Sequence, residues 1–391
     1  MHPMLKPALR RGWRDGRTMQ FGVTSAHAVT LGSVDSATDA FLTLLDGTRG
    51  MPLLREEARR MDLPDGHADA LVGRLTAAGL IDDNRGGGPG AAALRQRTAA
   101  MDRLRPDLNS LSVVDGEPGG AMRRLAARGA MRVQVRGCGR VGAQIAAVLA
   151  GAGVGGVEVR DGGCVRPWDV APGGLPPEAV GERRDESARR AVRRAAPAAA
   201  APTGAVRAAR ASPPPSGNAF ALVVLAPRDG LEAYLPDPDG ASELLSSGTP
   251  HLYAGVVEAT GFVGPLVLPG ATACAGCRLR RRVDADPEWL RVFVQWRSGR
   301  ARRGVPAGDL ALTATVAGLA ASHALAFLDG DPPSSAGARW EAALPGLEWR
   351  ADEVSPHPEC GCGAGGGGGS RGAGGRERAA GRVGRQDTMA R

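Results

Sequence analysis

Gly137, Gly139 and Gly142 form a G-x-G-x-x-G run. Glycines at this spacing permit a tight turn, let backbone amides approach phosphates, and let the helix that follows pack closely on a strand. The run follows an alternating segment, Met131 to Arg136, and opens an apolar helix, Val141 to Leu149, whose N-terminus would face an anion. Nineteen residues after Gly142, Asp161 stands at the end of the next short strand, Val157 to Val159, where a carboxylate can accept ribose hydroxyls. With 58 glycines in the chain, the run alone is weak evidence. The order strand, turn, helix, strand, acid is what points to a nucleotide-type Rossmann unit rather than a chance turn.

A second constellation is built from sulfur. Four of the six cysteines sit in two tight pairs, Cys274/Cys277 (C-x-x-C) and Cys360/Cys362 (C-x-C). Two such pairs converge naturally on a tetrahedral Zn²⁺ held by thiolates, closed to water and therefore structural. Turn-forming Gly and Pro flank both pairs, which favours metal over four unrelated thiols. His357 could replace one ligand but reads better as a surface-turn histidine. Cys138 and Cys164 lie near the expected phosphates and ribose without an obvious base partner, so both read as filler. His323 reads as a core histidine. The arginine-rich segment Gly181 to Arg194 reads as a solvated helix face, except for Arg184, which could clamp phosphate.

These residues need elements to position them. From Met131 onward the pattern alternates strand and helix. Further strands are expected at Phe220 to Ala226, Leu252 to Val257 and Phe262 to Leu268, and helices near Ser187 to Ala195, Ala241 to Ser246 and Leu310 to Leu328. Before it lies a smaller α+β unit. Thr18 to Val23 and His27 to Leu31 read as a hairpin. Ala37, Phe41 and Leu44 then mark a helix with Asp35 or Ser36 as N-cap and Gly47 as stop, followed by helices over Met51 to Met61 and Gly66 to Ala78. Composition breaks the chain at Asn84 to Ala93, at Ala195 to Asn218 and after Cys362. The last stretch is expected to be a disordered Gly/Arg tail. No internal repeat is found.

The whole chain of 391 residues, 43% apolar, is long enough for two or three cores. Its net charge of +8 comes from scattered arginines, Lys6 being the only lysine, and no aromatic-interleaved basic stripe argues for nucleic acid. No apolar run approaches the ~20 residues of a membrane span, and six cysteines are too few for a secreted disulfide scaffold. A cytoplasmic protein is expected.

In combination, Gly137 to Gly142, Asp161-Gly162-Gly163-Cys164-Val165, Val180-Gly181, Ala254-Gly255, Gly264 to Gly270, the two cysteine pairs and Leu310 to Leu328 resemble the ThiF/MoeB/HesA superfamily, related to ubiquitin-activating enzymes. The resemblance covers roughly Leu104 to Cys362. It implies a ThiF-type NAD/FAD-binding fold, a homodimer, a four-cysteine zinc site, and adenylation of a C-terminal carboxylate with MgATP. By the same resemblance Gly137, Gly139, Gly142, Asp161 and Arg184 would bind nucleotide, Arg184 standing where the family usually has a lysine, with Asp169 near its usual asparagine. Asp229 would serve as the metal-binding acid with a one-residue shift. Several positions depart: Pro172-Gly173 replace an Arg-Gln pair, Gly163 replaces a second acid, and Arg228 stands where the metal-binding acid is expected. The crossover Val283 to Gly308 has no cysteine for a thioester.

Val34 to Ala37, Phe41 to Thr48 and Leu75 to Ile81 resemble the PqqD-like peptide-recognition element, a winged-helix-like clamp that takes a leader peptide as an added strand. The expected organisation is therefore 1–84 peptide-binding domain, 85–103 linker, 104–362 ThiF-type domain and 363–391 tail. Two functions follow from the resemblances. One is an enzyme that activates a peptide or carrier-protein C-terminus as an acyl-adenylate. The other is a catalytically degenerate scaffold presenting a precursor peptide to a separate YcaO-type cyclodehydratase. A nicotinamide oxidoreductase is a minor third, since the same turn serves NAD.

Overall fold

The computed structural model of the chain describes residues 1–197, 220–298 and 304–364. The Gly/Arg stretch expected as a tail lies almost wholly outside them, as does nearly all of the Ala/Pro/Ser-rich segment. The described chain divides into two compact units, Met1–Ala127 and the residues from Arg128 onward.

In the first unit the expected hairpin is present with one strand more. After β1 (Pro3–Leu5) come β2 (Arg11–Trp13), β3 (Met19–Phe21) and β4 (Val29–Leu31), and the last three form an antiparallel sheet in which Phe21 faces Arg11 on one side and Val29 on the other. Strand alternation puts Met19 and Phe21 on the inner face, both buried. Three helices follow as the spacing predicts, α1 (Ser36–Thr43), α2 (Met51–Arg60) and α3 (His67–Ala77). The N-cap is Asp35, whose carboxylate accepts the Thr38 N–H at 2.7 Å. Helix α1 is C-capped by Leu44, short of Gly47, because Leu44 and Leu45 tighten into i→i+3 bonds that turn Leu45 into the core. Phe41, Leu54, Leu71 and Leu75 fill that core.

Strand β5 (Ile81–Asp83) pairs antiparallel with β1. Just past β1, Lys6 is only 3% exposed, and its ammonium donates to the Asp115 carbonyl at 2.7 Å. Burial lowers its pKa, opposed by the charges of Asp82 and Asp115. The stretch 85–103, expected as a linker, is helical instead: α4 (Gly88–Arg95) and the start of α5 (Thr98–Val114), followed by α6 (Gly120–Arg128). The glycine cluster there makes a left-handed turn at Gly87 ahead of α4. Leu104, Leu111 and Leu125 bury a small core of their own.

The second unit is a mixed α/β sandwich around a seven-stranded sheet, and its Rossmann-like half follows the predicted order. β6 (Arg132–Arg136), α7 (Arg140–Gly151) and β7 (Gly156–Arg160) are the strand, helix and strand around the glycine run. After α8 (Arg184–Ala195), β8 (Leu222–Leu225) joins the other side of β6, and β9 (His251–Val257) runs parallel to β8. Between them lie the short helices α9 (Leu231–Tyr234) and α10 (Ser242–Ser246). The alternation stops there. β10 (Thr260–Val267) turns back antiparallel on β9, since only Glu258 and Ala259 separate Val257 from its partner Thr260.

Beyond β10 come α11 (Ala275–Ala285), α12 (Trp289–Arg297) and α13 (Leu310–Leu328), then β11 (Ala338–Ala343) and β12 (Arg350–Glu353). The sheet order is β12-β11-β10-β9-β8-β6-β7. Contrary to the expectation that no run approaches a span, α13, 19 residues with a mean hydropathy of 1.6, is by length and composition apolar enough to cross a membrane. Here its Leu312, Val316, Ala320 and Ala324 belong to the core, against α7, β9 and β10.

Candidate functional site

The turn after β6 needs glycine at two points. Gly137 has φ +101°, and a Cβ there would collide with the Ala226 carbonyl beyond β8; a Cβ on Gly142 would strike the Gly137 carbonyl. Close packing of α7 against the strand ends therefore requires both. Gly139 is the N-cap of α7 and offers its amides no side-chain acceptor.

Asp161 sits against this turn. Its Oδ2 accepts the Cys138 N–H at 2.6 Å, and its Oδ1 accepts Nε and Nη2 of Arg184 at 3.0 and 2.9 Å. Arg184 also donates to the carbonyls of Cys164 and Gly162, and at 3.4 Å to Asp169 Oδ2. Asp169 is nearly buried. Its Oδ2 accepts the Arg166 N–H at 2.9 Å and its Oδ1 accepts Arg228 Nε at 2.6 Å. Arg228 lies over Trp168, 5.6 Å from the ring centre, and across Gly139, where a Cβ would stand 3.3 Å from its Cγ. Four charges thus alternate beside the glycine turn: Asp161, Arg184, Asp169 and Arg228. Burial works against the Arg184 cation, but Asp161, then Asp169, outweigh it and raise its pKa.

A cavity of about 570 Å³ opens on Gly137 and Asp161. Four arginines (136, 184, 228, 297) and four carboxylates (161, 229, 232, 237) line it, so it offers a polyanion no net positive charge. A ribose reaching Asp161 would compete with Arg184 for that carboxylate. Nucleotide binding at Asp161 therefore has to share or displace this ion pair. Gly163, where the resemblance expects a second acid, is filled from outside: a Cβ there would stand 3.2 Å from Arg184 Nη2. Pro172 and Gly173 are exposed in a turn and bring no cation. Asp229 lines the cavity just ahead of α9, its Oδ1 accepting the Leu231 N–H at 3.0 Å, while the Arg228 side chain turns to Asp169. For Mg²⁺, which needs carboxylate oxygens together with phosphates, Asp229 is the candidate.

Sequence reasoning missed a second cavity of about 480 Å³, which shares Asp229 with the first. Trp289, Trp296, Tyr234 and Arg282 contribute to it. It also missed Arg140, whose Nη1 donates to the Gly308 carbonyl at 2.9 Å and so ties the first residue of α7 to the segment leading into α13. In a chain with 4% aromatics, the Trp289/Trp296 spacing of seven residues on one helix was the available signal.

The cysteine pairs converge. Cys274 is the N-cap of α11 and Cys277 lies in its first turn; Cys360 and Cys362 come from the loop after β12. Sulfur separations are 3.9 Å (274–277), 3.6 Å (274–360) and 3.4 Å (277–362), and all four lie within 4.8 Å of one another. A tetrahedron with Zn–S bonds of ~2.3 Å has S···S edges of about 3.8 Å, so the four residues fit Zn²⁺. Burial pushes the Cys274 and Cys277 thiols up, and a cation at the centre would supply the charge that favours thiolate. His357 is not a surface residue as expected: it is buried, with Nε2 2.8 Å from Asp284 Oδ2 and Nδ1 accepting the Glu359 N–H. Both ring nitrogens are thus engaged away from sulfur. Cys138 is fully buried and its thiol is pushed up to about 12, chiefly by burial, while Cys164 is exposed. His323 is partly buried, with no partner for Nδ1 among the described residues and its pKa lowered by burial.

The sequence profile of the ThiF family matches residues 121–363. No curated protein matches the chain. Among solved structures, the microcin C7 biosynthetic enzyme MccB in complex with N-formylated MccA is similar, with a TM-score of 0.61 and 14% identity, covering 93% of this chain and 100% of that one. Escherichia coli MccB with ATP gives a TM-score of 0.63 at 13% identity over 93% and 99% of the two chains. SeMet PaaA gives 0.60 at 14% over 89% and 99%. At these identities the likeness is one of fold.

Proposed function

Since the chain belongs to the ThiF family, we propose that it is a peptide-binding member whose nucleotide site is closed by its own ion pairs, and that it presents a precursor peptide to a separate enzyme. The observation that carries this reading is the alternating set Asp161–Arg184–Asp169–Arg228, which occupies both acids beside the glycine turn and lays an arginine over Gly139. The first unit supports the peptide half. Its three-stranded sheet has β2 and β4 at the edges, backed by helices, and an extended leader peptide can add to such an edge through main-chain hydrogen bonds. MccB has been solved with MccA bound, which accords with a peptide partner. The zinc-stapled fold, acting in the cytoplasm as a homodimer, would then serve as the platform on which a YcaO-type cyclodehydratase docks.

A second reading, activation of a peptide or carrier-protein carboxylate with MgATP, is favoured by one feature: Asp229 lines both cavities, so a nucleotide in one and a peptide end in the other would meet there. That reading requires Arg184 to leave Asp161. Calorimetric titration with MgATP, followed by pyrophosphate release in the presence of candidate peptides, separates the two. No nucleotide heat with retained peptide binding is expected. Tight MgATP binding with peptide-dependent pyrophosphate release would overturn the scaffold reading in favour of the enzyme.

A further inference from the structure

The helix that opens on the first cysteine pair also grips the loop that carries the second. On α11, Cys277, Arg281 and Asp284 follow an i, i+4, i+7 stripe, and Gly276 and Arg280 stand four residues apart beside it. Arg281 donates Nε to the Ser355 carbonyl at 2.9 Å and Nη2 to the Pro356 carbonyl at 2.6 Å. Asp284 Oδ2 meets His357 Nε2 at 2.8 Å. These contacts hold the loop just ahead of Cys360 and Cys362.

Arg280 reaches the sulfur itself. Its Nη1 lies 3.8 Å from Cys360 Sγ and 3.5 Å from the Gly276 carbonyl, and among the described residues no carboxylate pairs with it. The approach depends on Gly276. A Cβ there would stand 3.3 Å from both Arg280 Nη1 and Cys360 Sγ and 3.5 Å from Cys274 Sγ, a wedge between guanidinium and sulfur. Backbone N–H groups of Cys277, His357 and Ala364 face the sulfurs of Cys274, Cys277 and Cys362 respectively and favour their thiolates. Four thiolates around one Zn²⁺ leave a net dianion, which backbone dipoles stabilise but do not neutralise. A guanidinium brings a full charge that persists at any working pH, and its bond to an anion is correspondingly stronger.

We propose that Arg280 is the charge-compensating partner of the zinc-thiolate centre, holding Cys360 on the metal and shielding that sulfur from electrophiles. It is a positioning residue, acting on the metal through its ligand. The proposal rests on the four cysteines holding zinc and is independent of whether peptide or nucleotide binds. Because Arg281 and Asp284 anchor the loop separately, loss of the Arg280 charge leaves the loop in place and changes the metal centre alone.

The test uses the full chain, its zinc content measured by atomic emission, and follows transfer of that zinc to an excess of chromophoric chelator. Arg280→Met keeps the aliphatic stem and removes the charge, and it releases zinc about tenfold faster, the lower end for an outer-shell partner. Arg280→Lys restores the charge and recovers most of that loss. Limited treatment of the zinc-loaded protein with iodoacetamide, mapped by mass spectrometry, places the first alkylation on Cys360 in Arg280→Met and not in the parent. In the cobalt-substituted protein the sulfur-to-metal charge-transfer band moves to lower energy in Arg280→Met, because the sulfur lone pairs lose a stabilising cation. Release at the parent's rate in Arg280→Met, a lysine variant no better than methionine, an unchanged alkylation pattern, or an unmoved band would each overturn the role of Arg280. A parent chain that carries no zinc removes the metal site and the proposal together. A zinc-loaded parent whose release ignores Arg280 leaves the site standing and removes the proposal alone.

Discussion

Replacing Arg184 by glutamine tests the charge ladder on which the functional reading stands. The Arg184 side chain is 12% exposed, that of Asp161 8% and that of Asp169 3%. The substitution removes the two bonds to Asp161 at 2.9 and 3.0 Å and the contact to Asp169 at 3.4 Å, leaving two secluded carboxylates with only Arg228, which reaches Asp169 alone. Stripping one partner from a buried pair costs about 3–5 kcal/mol, and the retained amide volume places Arg184→Gln near the lower end. In a unit of this size each kcal/mol moves the melting temperature by roughly 2–4 °C, so a fall of about 6–12 °C is expected in calorimetry at neutral pH. The double variant with Asp161→Asn removes both charges, and at least half the loss is restored, because the cost lies in the uncompensated carboxylate rather than in the missing contact. A melting temperature within about 1 °C of the parent, or a double variant no better than the single, would refute the coupling. The Cys138 N–H must also keep its acceptor, and asparagine supplies one through its Oδ1.

Four further outcomes follow from the structure. Cys274→Ser releases bound zinc and lowers the stability of the second unit; unchanged metal content by atomic emission would dismiss the four-cysteine site. The Cys138 thiol, held near 12, keeps its proton in the folded state after the unfolded chain has lost it, so stability present below pH ~9 falls by about 1.4 kcal/mol per pH unit toward 12. Denaturant titrations of Cys138→Ala lack that contribution to the slope, and at pH 8 iodoacetamide labels Cys164 in the native protein but not Cys138. Arg140→Ala removes the side-chain hydrogen bond to the Gly308 carbonyl and lowers the stability of the second unit by about 1 kcal/mol; an unchanged melting temperature would show that the segment holds its place without it. A chain starting at residue 128 folds and loses leader-peptide affinity, measurable by fluorescence anisotropy, and full retained affinity would move the peptide site to the second unit.

What could be read in advance depended on local rules. The glycine turn was readable because backbone sterics at Gly137 and Gly142 admit nothing larger, and the acid that follows lies one strand away. The cysteine set was readable because each pair brings two sulfurs together by itself. The β9–β10 hairpin looked like two further alternating strands, since a two-residue loop without glycine gives no signal for reversal. The linker expected at 85–103 was misread because Gly87 marks a turn into α4, not an extended chain. Long-range charge pairing was beyond reach: Asp169 and Arg228 are 59 residues apart, and nothing in either segment selects the other. The tryptophan cavity likewise joins α9, β9 and α12, brought together only once the sheet is complete.

Lys6 has a consequence for handling the molecule in the laboratory. As the only lysine in the sequence, and one sealed against the Asp115 carbonyl, it leaves the described surface without a lysine amine. Amine-directed crosslinkers and biotinylation reagents are therefore left with the α-amine of Met1, and immobilisation through lysine will select molecules in which β1 has come away from the 115 loop. The same seclusion makes Lys6 a built-in reporter: acylation at that single side chain, read by mass spectrometry against denaturant or ligand, counts openings of the first unit and of nothing else.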